Sequence, residues 1–384
     1  MNPQQLKEQF TKRFGHEPSL YFSPGRINLI GEHTDYNGGF VFPGAVDKGI
    51  TAAIAPNGLE ICRVLSADIT TESDYAEFPL QESGKPAQHW ACYIFGISRE
   101  MCKLGVPVPC FDAVFSGNVP LGAGMSSSAA LESVFAFAIN DICGNPADRF
   151  SLALAGQATE HNYCGVNCGI MDQFASVFGR RGHLIRLDCR SLEHRYFPFN
   201  PEGYRLILLN SMVSHSLGNE YNQRRASCEN AVAVLARSNP SVKALRDADF
   251  DMLDSIRDLI SETDYRRASY VIGEKERVLT VCDALEKGDY ELVGQKMYET
   301  HLGLSRDYGV SCEELDFLVT SARECGVTGS RLMGGGFGGC TINLVKDQLA
   351  EEFSDRTIRA FTSRFGHRPA QYDVTIGDGS HKIG

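Results

Sequence analysis

The chain has 384 residues, 43% hydrophobic and 22% charged, an ordinary globular composition at a length that usually divides into two domains. Its 37 Lys and Arg face 48 Asp and Glu for a formal charge of -11, which argues against a nucleic-acid or anionic-membrane partner, since those are held through clustered basic residues. Thirteen scattered cysteines without a CxxC pair, a polar N-terminus and the lack of any apolar run of ~18 residues argue against zinc, secretion and a membrane span, and predict a soluble cytoplasmic protein with free thiols.

An amphipathic helix is predicted over residues 3–14, with Leu6, Phe10 and Phe14 on one face. Tyr21 and Phe22 lead into a brief strand-like stretch, and Asn37-Gly38-Gly39 signals a turn before a strand at Phe40 to Phe42. Between them, Glu32, His33 and Asp35 put three hydrogen-bonding side chains within four residues. Such a loop suits a polyhydroxylated ligand; a solvated charged turn is the alternative.

Alternation through residues 44–82 predicts several strands, including Ile50 to Ala55 and Glu60 to Leu65. His89-Trp90 then opens a helix containing Tyr93 and Phe95. Trp90 is the only tryptophan, and the residues alone favour core packing for it over a platform for a base.

A strand at Phe111 to Phe115 feeds Leu121-Gly122-Ala123-Gly124-Met125-Ser126-Ser127-Ser128, and Ala129 to about Ile142 reads as a helix. Tight glycine turns, serine hydroxyls and a helix N-terminus together make a phosphate cradle that needs no lysine. A further helix is predicted from about Ala147 to Tyr163, with Glu160 near its C-terminal end, where an acid opposes the dipole and points to a nearby cation. Gly165 and Gly169 precede another helix opening at Ile170-Met171-Asp172. From the residues alone, Asp172 is either a first-turn helix acid or a functional one.

Residues 180–199 read as strand, and a domain junction is expected near 175–200, dividing the chain into 1–180 and 181–384. A strand at Arg205 to Leu209 and a helix holding Tyr221, Arg224 and Arg225 follow. Helical periodicity then continues to about Cys325, with a capping box at Ser311 and Glu314. A glycine-rich run, a strand at Thr341 to Val345, a helix to about Phe365 and a strand near Gln371 to Ile376 complete the chain. Gly334, Gly336 and Gly339 satisfy G-x-G-x-x-G, but a strand follows them where the dinucleotide fold needs a helix. That run reads instead as a loop approached closely by a ligand or another backbone. No P-loop motif and no H-R-D or D-F-G set is present.

On these motifs the chain resembles the galactokinase family of the GHMP kinase superfamily over nearly its whole length. Pro24-Gly25-Arg26-Ile27-Asn28-Leu29-Ile30-Gly31-Glu32-His33-Thr34-Asp35-Tyr36 is similar to the family's sugar signature, Leu121 to Glu132 to the shared ATP motif, and Ser330 to Cys340 to the third, glycine-rich motif. The resemblance implies an α+β fold of two domains, a GHMP-kinase-like N-terminal α/β domain and a ferredoxin-like C-terminal domain, with the active site in the cleft between them. It implies ATP-dependent phosphorylation of α-D-galactose at the C1 hydroxyl, Mg2+ as cofactor, ATP as co-substrate and a monomer.

Position by position, the resemblance implies Arg26 beside the transferred phosphoryl and Asp172 as the base. Glu32, His33, Asp35, Gly169, Asp172 and Tyr221 match sugar contacts, and Ser128 and Glu160 the magnesium ligands. Gly122, Ala123, Gly124, Met125, Ser126, Ser127 and Ser128 match the nucleotide's phosphate loop, and Trp90 and Tyr93 its adenine side, against the composition reading of Trp90. Two positions depart from the family pattern, Met333 in place of Thr before the glycine run and Ser214 in place of an Arg carried by some relatives. The intact Ser126-Ser127-Ser128-Ala129-Ala130 implies a working enzyme rather than a sugar sensor. Kinases for N-acetylgalactosamine, galactosamine or arabinose are the neighbouring alternatives.

Overall fold

Helix α1 (Pro3–Phe14) is fixed by its ends: Asn2 and Gln5 form a capping box, Pro3 occupies the first turn, and Gly15 closes the helix at φ 80. Leu6 and Phe10 bury the predicted apolar stripe against the first sheet. The computed structural model describes residues 1–69, 72–81, 84–120, 122–213 and 218–384; Leu121 and Ser214, both named above, lie outside the described residues.

The first half supplies β1 (Ser19–Asn28), β2 (Phe40–Val41), β3 (Pro43–Pro56), β4 (Cys62–Ser66) and β5 (Tyr75–Phe78). Helix α2 (His89–Lys103) and β6 (Phe111–Gly117) follow, then α3 (Ser127–Ile142), α4 (Arg149–Thr159) and α5 (Met171–Phe178). Val134 and Phe135 of α3 and Phe174 of α5 meet Phe95 of α2 and Phe111 of β6 in one apolar cluster between helices and sheet. The predicted helix through Tyr163 is α-helical only to Thr159; Glu160 to Cys164 wind as a π turn, closed by Gly165 at φ 75. Such turns are frequent where a side chain must be re-aimed.

The second half continues with β7 (His183–Asp188), β8 (His194–Pro198) and β9 (Tyr204–Asn210), then α6 (Gly218–Ser238), α7 (Phe250–Ser255), α8 (Glu262–Glu286), α9 (Tyr290–Gly303) and α10 (Glu313–Glu324). It closes with β10 (Gly329–Leu332), β11 (Cys340–Lys346), α11 (Ala350–Phe365), β12 (Ala370–Val374) and β13 (His381–Ile383). Four of these strands form an antiparallel sheet in the order β10-β11-β9-β12. Its central strand β9 is apolar on both faces: Leu206 and Leu208 pack with Val293 and Met297 of α9, Ile207 and Leu209 with Leu318 of α10 and Phe353 of α11. A strand buried on both sides reads as an unbroken apolar run, as this one does. This is the ferredoxin-like layer that the resemblance implies.

The larger sheet has the order β13-β1-β3-β6-β4-β5, antiparallel except for β4 beside β6. Leu20 to Phe22 of β1 pair with His381 to Ile383, so the end of the chain returns across the expected boundary at 180 and 181 into the first layer. Neither β10 nor β13 has an apolar alternation that would announce it. The capping box expected at Ser311 and Glu314 does not form: α10 starts after Cys312, and the Ser311 hydroxyl donates instead to the Asp316 carboxylate at 2.5 Å. Cys312 takes the N-cap position, so Ser311 stands one residue too early to accept from the helix amides, and its hydroxyl proton goes to an ionised acceptor. No helix among the described residues is long and apolar enough to cross a membrane.

Candidate active site

A break in the β1–β3 ladder aims the first functional side chain. Pairing shifts between Pro24, opposite Gly49, and Arg26, opposite Ala45. Such a bulge accommodates the proline and turns the next residues out of register. Arg26 N bonds to Met125 O at 3.1 Å, and a Cβ on Gly25 would lie 2.6 Å from that same oxygen, so only glycine lets the two loops touch. The guanidinium, 4% exposed as a residue, then donates from Nε to Oδ1 of Asp172 at 2.8 Å and from Nη1 to Gly124 O.

The phosphate-cradle loop ends in an unusual helix start. Ser126 occupies the N-cap of α3 with φ 55, and its side chain makes no capping bond; the hydroxyl donates to Oδ2 of Asp172. The first amides of α3 therefore keep their donors for an anion, reinforced by the helix dipole. Gly124, at φ 69, lies where a Cβ would come within 2.9 Å of Met333 O, and a Cβ on Gly339 would sit 3.1 Å from Gly122 O. The glycine-rich run thus meets another backbone, as the sequence predicts. Met333, 1% exposed, packs in the second core.

The acid-His-acid loop is not a solvated turn: Glu32 is 2% and His33 5% exposed, and Asp35 is half-buried. Oε1 of Glu32 accepts from Gly334 N at 2.8 Å and from Arg331 at 3.1 Å. His33 Nε2 faces Gly335 O at 3.2 Å; a carbonyl only accepts, so that nitrogen carries the proton and Nδ1 accepts from the Tyr36 hydroxyl at 2.8 Å. Tyr36 in turn accepts from Tyr308 at 2.7 Å. Burial pushes the His33 pKa down to about 4, so the ring is neutral. Tyr221 of α6 closes this corner with its ring 5.5 Å from His33 and 5.1 Å from Tyr36.

Carboxylates dominate the site. Burial first, and the Asp172 charge second, push Asp35 up to about 7. Gly169 leans on it so closely that a Cβ there would lie 2.0 Å from its Oδ2. Glu160, 6% exposed on the π turn, is pushed up to about 7 by burial, is hydrogen-bonded by Ser128, and also feels Asp172. Behind them Glu132, fully buried on α3, accepts from Gln173 at 3.1 Å and is raised further by desolvation and by Glu160.

One cleft of about 320 Å³ gathers Arg26, Glu32, His33, Asp35, Tyr93, Gly122 to Ser128, Glu160, Gly169, Asp172 and Tyr221. Trp90 does not line it: the indole donates to Ser73 O at 3.0 Å and its ring lies 5.5 Å from Phe115, the packing that the residues alone favour. Sequence reasoning missed the Ser126–Asp172 bond and the part played by Arg331. Only the second had a signal, an arginine set among residues of a buried strand.

Known proteins resemble this chain over its length. Residues 8–56 match the galactokinase galactose-binding signature, residues 93–180 the GHMP kinases N terminal domain and residues 282–361 the GHMP kinases C terminal family. The galactokinase of Clostridium beijerinckii is 37% identical over 385 residues, covering 99% of this chain and 98% of its own. That of Bos taurus is 41% identical over 353 residues, covering 90% and 88%. Lactococcus lactis galactokinase, solved in complex with galactose, superposes with a TM-score of 0.94 at 33% identity over 99% of both chains. Methanococcus jannaschii mevalonate kinase shares the fold alone, with a TM-score of 0.67 at 15% identity over 94% of this chain and 99% of its own. Identity at this level over practically the whole length, together with the matching sugar signature, makes the chain a member of the galactokinase family within the GHMP kinases.

Proposed function

We propose that the chain transfers the γ-phosphoryl group of ATP to the C1 hydroxyl of α-D-galactose, giving galactose 1-phosphate and ADP. The observation that carries this reading is the bonding of Asp172 to both Arg26 and Ser126, at the point where the acid-His-acid loop meets the open end of α3. Phosphoryl transfer asks for an acceptor oxygen in line and for neutralised charge, and little covalent help.

Asp172 orients the C1 hydroxyl and takes its proton on a carboxylate oxygen. Arg26 holds Asp172 in place through Nε and sets a positive charge beside the phosphoryl oxygens. The uncapped amides of α3 and the glycine loop before it take the phosphates, with Tyr93 toward the base. Glu32, His33, Asp35, Gly169 and Tyr221 hold the sugar's remaining hydroxyls. Mg2+ suits Ser128 and Glu160, because a buried carboxylate whose pKa is raised by desolvation is the kind of ligand a divalent cation relieves. When bound it would neutralise phosphate charge. A monomer working in the cytoplasm completes the proposal, checked by sedimentation and cell fractionation.

The deciding experiment is a coupled ADP-release assay across galactose, galactosamine, N-acetylgalactosamine, arabinose, glucose and mevalonate. Turnover with galactose far above the others is expected. Sugar binding without ADP release would make the chain a sensor, and a preference for another sugar would reassign the acceptor.

A further inference from the structure

Arg331 lies on β10 with 0% of its surface exposed, among the largest fully buried side chains of the described residues. A guanidinium in such a place needs its donors satisfied and its charge matched. Its Nε donates to Leu29 O at 2.9 Å and its Nη1 to Leu332 O at 2.6 Å. Its Nη2 donates to Asn28 O and, at 3.1 Å, to Oε1 of Glu32. Three of these acceptors belong to the stretch where β1 runs out into the acid-His-acid loop. Oε1 of Glu32 also takes Gly334 N at 2.8 Å, while the Tyr270 hydroxyl holds the Glu32 carbonyl at 3.0 Å. Both donors, one guanidinium and one backbone amide, therefore fall on one carboxylate oxygen, which leaves Oε2 for the cleft that Glu32 lines.

We propose that Arg331 is a positioning residue for the transfer. It fixes Glu32 so that one carboxylate oxygen faces the sugar, and through the shared Oε1 it fastens the acid-His-acid loop to the glycine-rich loop at Gly334. This rests on the reading of Glu32 as a sugar contact. A second fastening lies alongside, from His33 Nε2 to Gly335 O at 3.2 Å. The fastened backbone is the one against which Gly124 of the phosphate loop packs, so occupancy of the sugar corner is felt where the nucleotide's phosphates sit. A carbonyl staple alone would explain the bonds to Asn28 and Leu29 but would not require the carboxylate.

Arg331→Lys keeps the charge and removes the planar fork. Galactose kcat/KM should fall on the order of a hundredfold through a raised galactose KM, with ATP KM changing far less, as for a reacting group displaced by ~1 Å. Glu32→Gln should add little further loss in that background, because the two side chains act as one unit. A merely structural arginine would lower the melting temperature, leave both KM values of the folded enzyme unchanged, and give losses that add in full; either of the last two results overturns the proposal. Should Arg331→Lys fail to fold, the unaltered chain carries the test. Galactose alone, without nucleotide, should slow amide exchange at residues 333–336; protection confined to residues 26–36 overturns it. Failure of the unaltered chain to release ADP counts against the proposed function, whereas normal release with an unchanged galactose KM in Arg331→Lys counts against Arg331 alone.

Discussion

Ser126 stands at the N-cap of α3, yet its hydroxyl donates to Oδ2 of Asp172 and caps nothing. That bond joins the two parts on which the proposed transfer relies, the uncapped start of α3 and the Asp172 carboxylate. Arg26 completes the arrangement at 2.8 Å on the other carboxylate oxygen.

Asp172→Asn follows directly. The amide fills the same volume and keeps an oxygen for Arg26 or Ser126, but cannot take a proton, so turnover should drop by roughly a hundredfold to ten-thousandfold. Galactose binding, read by calorimetry without nucleotide, should persist. Turnover near that of the parent would remove Asp172 from the role of base.

Asp35 sets a pH dependence of stability. A carboxyl raised from 3.8 to about 7 in the folded protein keeps its proton over a range in which the unfolded chain has lost it. The folded state then binds more protons, so this group's contribution to stability falls as pH rises from about 4 to about 7. Asp35→Asn has no such loss and should melt higher relative to the parent at about pH 8 than at about pH 5. A gap between the two melting curves that stays constant with pH would place the titration elsewhere.

The elements legible in the sequence are those whose neighbours are also neighbours in sequence. Helix α1 carries its own caps, and β9 its own run of Leu206 to Leu209. The glycines of the third motif announce close approach because little else explains them. What stayed hidden depends on contacts across the whole chain. Ser126 and Asp172 are 46 positions apart, Glu32 and Arg331 299, and β13 pairs with a strand from the other end of the chain. Ser311 shows the same limit on a small scale, since its spacing to Glu314 fits a cap while the helix takes Cys312 as its N-cap and the Ser311 hydroxyl donates to Asp316. Trp90 was readable in two ways, and the two readings make different predictions.

The Trp90 indole is bonded to Ser73 O with its ring beside Phe115, while Tyr93 one turn later lines the cleft. On the packing reading, Trp90→Ala should cost ~1–2 kcal/mol of stability, below the range for a fully buried aromatic, and leave ATP KM little changed. Tyr93→Ala should raise ATP KM while galactose KM holds. Thermal melts and steady-state kinetics on both variants separate the two positions. A large rise in ATP KM from Trp90→Ala would return the indole to the adenine side.

Gly169 offers the sharpest steric test of the sugar corner. Its backbone is not in the left-handed region, so no torsion demands glycine there; space does. A Cβ would lie 2.0 Å from Oδ2 and 2.3 Å from Cγ of Asp35. The carboxylate cannot simply yield, because its other oxygen accepts from Tyr36 N at 2.9 Å. Gly169→Ala must therefore push Asp35 off its place, and galactose KM should rise roughly tenfold or more. Melting temperature should fall as well, because the displaced carboxylate strains the folded site, even though residue 169 sits in irregular chain between the π turn and α5 and breaks no helix. The double variant Gly169→Ala with Asp35→Ala should relieve the clash without restoring affinity, since the carboxylate itself is then missing. An unchanged galactose KM in Gly169→Ala would mean that Asp35 does not touch the sugar at all.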